Sequence, residues 1–118
     1  MAMPELPESI RARLAEQQAE PPLETVREFL LGYLADGGSL NEVRSQLRGI
    51  ARHSTRLHRR TLSALESVLA TSWPPETLAR LVGWDANWVL DDPSDAGAAE
   101  FLRGVAHMLR DVISDADQ

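Results

Sequence analysis

Wherever this chain is apolar, its apolar residues recur at steps of three and four, and that spacing restricts the fold to packed helices. The clearest case lies near the C-terminus, where Ala98, Phe101, Leu102, Val105, Met108, Leu109, Val112 and Ile113 form one continuous stripe. Asp92-Pro93-Ser94-Asp95 precedes it, which reads as a helix start with Asp92 at the N-cap, Pro93 at the first helical position and Asp95 at the third. An earlier stripe, Leu23, Val26, Phe29, Leu30, Tyr33 and Leu34, opens behind Pro21-Pro22 and stops at Asp36-Gly37-Gly38, predicting a helix over 23–36.

Between these two, Ser39-Leu40-Asn41-Glu42 is a capping-box pattern. It predicts that the Ser39 hydroxyl accepts from the Glu42 amide at the head of a helix over 40–52. His53-Ser54-Thr55 marks a break, and Leu57, Thr61, Leu62, Leu65, Val68 and Leu69 give the inward face of a helix over 55–71. After Trp73-Pro74-Pro75 a short helix runs from Pro75 to Val82 and ends at Gly83. Residues 84–90 stay open between a short extended segment and a structured loop, but either period puts Trp84 and Trp88 on one side. No internal repeat is expected. The expectation is an all-α, compact bundle of four to six helices with a long C-terminal helix. It comprises a polar leader at 1–20, a single helical domain at 21–114 and an acidic tail at 115–118.

At 118 residues the chain is one domain, long enough to bury a core without staples. It has no Cys, so disulfides, thiolate metal sites and cysteine nucleophiles are excluded together. No apolar run approaches the roughly 20 residues needed to span a bilayer, and the acidic N-terminal Met-Ala-Met-Pro-Glu lacks a signal-peptide layout. A cytoplasmic protein with no membrane contact is the expectation. No phosphate loop, His-Glu-x-x-His pair or nucleophile elbow is present, and His53 and His58 are five apart, off any shared helical face. Asp85, Asn87, Asp91, Asp92 and Asp95 do not match calcium-loop spacing. No metal, cofactor or catalytic activity is expected.

Charge is sorted along the chain. Between Glu42 and Glu66 there is no acid, yet Arg44, Arg48, Arg52, Arg56, Arg59 and Arg60 make up half of the 12 basic residues, all Arg. Between Arg80 and Arg103 the pattern reverses: Asp85, Asp91, Asp92, Asp95 and Glu100 accompany Trp84 and Trp88 with no base. The Arg series reads as a solvated face paired with the acids of the first half, Glu24, Glu28 and Glu42. Its functional alternative is an electropositive surface for nucleic acid or a regulatory partner. A net charge of −6 and the absence of aromatics within the row both weigh against nucleic acid. Trp73, Trp84 and Trp88 read first as core residues with bonded N–H groups. The competing reading of the acidic, Trp-bearing segment is an interface anchor, since Trp is enriched at binding hot spots and flanking acids steer a basic partner. One of Trp84 and Trp88 buried with the other near the surface satisfies both.

From the first body helix to the last, roughly residues 25–114, the layout resembles the small helical immunity proteins of bacterial contact-dependent growth inhibition systems. The carrying features are the aromatic helix Phe29 to Leu34, the Gly38-Ser39 helix start and a long Leu-rich helix ending in a small break. Pro75-Glu76-Thr77-Leu78, the aromatic-acidic loop and Phe101-Leu102-Arg103 follow. The resemblance implies a protein that binds and blocks a cytoplasmic toxin domain without catalysis of its own. The expected docking residues are Trp84, Asp85, Trp88, Asp91, Asp92 and Asp95. A small accessory subunit or homodimer, with basic face against acidic loop, is the remaining alternative.

Overall fold

The computed structural model describes residues 21–35 and 38–118, so the leader at 1–20 lies outside the described residues. Five helices pack on one core: α1 (Pro22–Phe29), α2 (Leu40–Ala51), α3 (Arg56–Ala70), α4 (Thr77–Arg80) and α5 (Asp95–Ala116). No strand occurs among the described residues. α1 and α4 each run on into a π-turn, Leu30–Leu34 and Leu81–Asp85. α5 is the spine: α2, α3 and α4 all pack on it, and α3 also covers α1. The core is aliphatic, built on Val26, Leu30, Leu47, Leu65, Leu102 and Leu109, none of them exposed. No helix among the described residues is long and apolar enough to cross a membrane.

The helix heads show how local sequence sets the frame. Pro22 occupies the first turn of α1, where its missing N–H is not needed. Gly38 takes a φ of +75°, a conformation that only a glycine adopts without strain, and the Glu42 carboxylate folds over it. The Ser39 hydroxyl accepts from the Glu42 amide at 3.2 Å, as the capping pattern predicts. At the head of α5 the expectation is corrected. The N-cap is Ser94, whose hydroxyl accepts from the Gly97 amide at 3.3 Å. Asp92 lies outside the helix and holds Ser94, accepting its hydroxyl at 2.6 Å and its amide at 3.1 Å. The reason is Gly97: a Cβ there would collide with the Asp92 backbone carbonyl, so this glycine lets the loop fold close over the helix start, with the cap two residues later than Asp-Pro suggests.

Four further expectations change. Gly83 does not end the short helix, because the chain stays helical through the π-turn to Asp85. Residues 84–90 are accordingly not a strand; Trp84 and Asp85 finish the π-turn and 86–90 form a loop. At the other end, α5 continues to Ala116, so Asp115 stands on the helix and not in a tail. His58, expected at a helix flank, is wholly buried beneath α2, with Nε2 2.8 Å from the Leu47 carbonyl. That bond requires the Nε2–H tautomer, and the buried Nδ1 then has no donor among the described residues.

The chain also contains a repeat that its helical periodicity conceals. Leu30-Leu31-Gly32-Tyr33-Leu34-Ala35 matches Leu81-Val82-Gly83-Trp84-Asp85-Ala86, and Leu47-Arg48-Gly49-Ile50-Ala51 matches Leu102-Arg103-Gly104-Val105-Ala106. The structure makes the match physical. The Ala35 amide donates to the Leu30 carbonyl at 2.9 Å, and the Ala86 amide to the Leu81 carbonyl at 3.1 Å, each closing a π-turn. Ser39 and Ser94 both cap, each eight residues before its Leu-Arg-Gly. Val43, Leu47 and Ala51 are buried, as are their counterparts Ala98, Leu102 and Ala106. α1–α2 and α4–α5 therefore share a π-turn, a serine cap and a buried row, with α3 as the unmatched element between them, although α4 packs on α5 whereas α1 packs chiefly on α3.

Candidate docking surface

The π-turn after α4 directs Trp84 away from the core. Trp84 is 83% exposed and Val89 93%, the two most exposed large apolar residues described. Both line a groove of about 570 Å³ that runs between α4 and the loop leading to α5, together with Trp88, Leu90, Arg80 and Glu76. Trp88 is half-buried, its ring 5.5 Å from that of Phe101, so it forms the inner wall while Trp84 forms the rim. The expected sharing of a side is thus met, with one indole packed and one in solvent. Trp73, by contrast, is a core-edge residue whose indole N–H donates to the Val68 carbonyl at 2.8 Å.

The acidic residues divide three ways around the Trp84 ridge. Asp95 lines the same groove, but its carboxylate is occupied: it accepts from the Glu76 amide at 2.7 Å and the Ala79 amide at 2.9 Å, capping α4 from the first turn of α5. Those two N–H bonds, that of Ala79 foremost, hold its carboxyl below the usual range. Asp91 and Asp92 lie across the loop, beside Glu100 and Phe101. The Ser94 hydroxyl, then its amide, lower the Asp92 carboxyl likewise. Asp91 makes neither a hydrogen bond nor an ion pair among the described residues. Asp85 falls on the far side of Trp84, accepting from Arg27 Nε at 3.0 Å, while Arg27 also pairs with Glu24. The bond to Asp85 is the main reason the Arg27 guanidinium is raised above its ordinary value.

Three members of the arginine row meet acids at the end of α5, beyond the first-half acids expected for them: Arg44 faces Asp111 at 3.8 Å, Arg48 faces Asp115 at 3.3 Å and Arg59 meets Asp117 at 2.6 Å. Arg52 and Arg56 are exposed with no ion pair among the described residues, and Arg60 is exposed. Half the row is thereby matched one-for-one by carboxylates, which lowers its field toward phosphate even though each exposed pair adds little stability.

Val89, Arg80 and Glu76 are among the groove residues that lie outside the sequence expectation. Val89 had a signal in the apolar triplet Trp88-Val89-Leu90, which sits in a loop and so has no helical face to bury it. Among the described residues no three acidic or histidine side chains gather as metal ligands. Comparison with family models, curated proteins and solved structures finds no significant match to this chain.

Proposed function

We propose that this protein is a protein-binding module, and specifically an immunity protein acting in the cytoplasm to bind and neutralise a toxin domain through the Trp84 edge. The observation that carries the reading is the exposed pair Trp84 and Val89 at the rim of a groove flanked by carboxylates. An indole left in water at 83% exposure adds nothing to folding. Covering it on docking gains on the order of 4 kcal/mol before association costs. Asp95 in the groove wall, with Asp91 and Asp92 across the loop, favours a basic partner surface and speeds the encounter. The self-pairing of Arg44, Arg48 and Arg59 ranks the nucleic-acid alternative lower.

Affinity capture with the tagged full chain from its source organism tests this, run beside a Trp84→Ala, Val89→Ser variant and an Arg52→Ala, Arg56→Ala variant. The expected result is one protein that co-purifies with the wild type and the arginine variant and is lost from the Trp84 variant. Co-expression of that protein should arrest growth unless the intact immunity chain is present. Nucleic acid retained by the Trp84 variant and lost from the arginine variant would overturn the proposal, as would a capture indifferent to both.

A further inference from the structure

The internal repeat suggests what shape of partner the groove takes, an inference that rests on the docking reading above. In the first hairpin α1 is covered by α3, and its buried row is Thr25, Val26 and Phe29, with Tyr33 half-buried beside them. Counted from the π-turn, the matching positions in the second hairpin are Glu76 just before α4, Thr77 and Arg80 on it and Trp84 in its π-turn. Here no described helix lies over them as α3 lies over α1; α4 packs down on α5, and the row lines open grooves on both sides of the Trp84 indole. The second hairpin thus leaves open the side that α3 covers in the first.

We propose that this open side accepts an amphipathic α-helix of the partner protein, one that carries Arg or Lys beside its apolar stripe. A cavity of about 570 Å³ is too small to hold a helix. A helix lying across it would insert side chains spaced at three and four, the usual way such grooves are filled. The charge requirement follows from how the surrounding acids are satisfied. Asp92 and Asp95 bond only to neutral N–H and O–H groups, so their negative charge is stabilised without being cancelled. Asp91 has no cation partner among the described residues. Asp85 is matched by Arg27, and Glu76 faces Arg80 at 3.7 Å. Asp95 in the groove wall, and Asp91 and Asp92 on the far side of the same loop, therefore carry charge that no described cation cancels, and a basic flank on the incoming helix complements them. The exposed Trp84 face offers the same cation a π surface.

The probe is a synthetic Leu/Arg helix of roughly four turns with an apolar stripe, set against a scrambled isomer without the stripe and a Leu/Glu version with it. Binding to the intact chain is followed by heteronuclear NMR. The expected result is that the Leu/Arg helix shifts the Trp84 indole N–H and the amides of Thr77 to Asp85. It should bind about tenfold more tightly than either control and lose that margin in Trp84→Ala. Equal binding of the scrambled isomer or the acidic helix overturns the proposal, as does a footprint centred on Arg44 to Arg60. The two readings fail separately. A captured partner that depends on Trp84, with no advantage for the striped peptide, leaves the docking surface standing and removes the helix; capture indifferent to Trp84 removes both.

Discussion

The two hairpins share a backbone plan and differ in what they do with it. In the first, Phe29 and Tyr33 lie with ring centroids 5.2 Å apart, and Leu34 is buried. In the second, Arg80 stands for Phe29, Trp84 for Tyr33 and Asp85 for Leu34, so an apolar cluster has become a charged surface around one exposed indole. The connection has changed too: three residues separate Ala35 from Ser39, whereas seven separate Ala86 from Ser94. The longer loop carries Trp88, Val89, Asp91 and Asp92, and Phe101, which occupies the position of the exposed Gln46, provides the ring against which Trp88 rests. Shared framing residues give both hairpins the same π-turn closure and serine cap, and the departures from the first hairpin gather at the candidate docking surface of the second. Exposure of Trp84 is thus a property of that surface; the shared framework does not require it.

Substitutions at paired positions sharpen or break this comparison. Leu47→Ala and Leu102→Ala remove equivalent unexposed side chains, and each is expected to cost about 2–5 kcal/mol in urea unfolding. A large cost at one site and none at the other would show that the hairpins do not bear equivalent loads. Tyr33→Ala is expected to cost about 1–3 kcal/mol, while Trp84→Ala, its counterpart, should change stability by no more than about 0.5 kcal/mol and act on partner capture instead. Comparable melting losses for both would return Trp84 to the core. Gly49→Ala and Gly104→Ala place a methyl where nothing lies within 4 Å, so both should stabilise by about 0.5–1 kcal/mol. Loss of stability at either would mean that the shared Leu-Arg-Gly is kept for a close approach.

The smallest effect at neutral pH, and the most diagnostic at acid pH, concerns Asp95. Its carboxyl is lowered in the folded chain, so its stabilising contribution is present above the ordinary carboxylate range. That contribution declines as pH falls through that range and is gone below the lowered value. Asp95→Asn should flatten that part of the acid unfolding profile and loosen the amides of Glu76 and Ala79 to hydrogen exchange. An unaltered acid profile in the variant would remove the brace between α5 and α4 from the account.

Much of the helical plan is legible in the sequence because its signals are local. The periods, Pro22, the Gly38 stop and the Ser39 cap each depend on residues within a turn or two. The failures are non-local. Asp92-Pro93 and Ser94 both satisfy the rules for a helix start, and only the fold of the loop over Gly97 selects the second. Acids near the arginine row in the chain are the natural expectation for its partners, but Arg44, Arg48 and Arg59 meet Asp111, Asp115 and Asp117 at the end of α5, more than fifty residues away. His58 was read as polar and therefore peripheral, because nothing in sequence reveals that the Leu47 carbonyl waits for its ring. The acidic-Trp segment was recognised as one patch by composition. Its division into a groove wall, a cap and two flanking carboxylates needed the tertiary geometry.

The lengthened connection of the second hairpin has an entropic consequence. Closing a loop costs free energy only as the logarithm of its length, so the growth from three residues to seven raises that cost by no more than about 1 kcal/mol. The helices on either side need not move for this, since the Ser94 cap and the Asp95 brace fix both ends of the connection. New recognition chemistry at Trp88 to Asp92 can therefore be exchanged residue by residue at little thermodynamic risk. A change of partner asks this fold for a new loop sequence and leaves its core untouched.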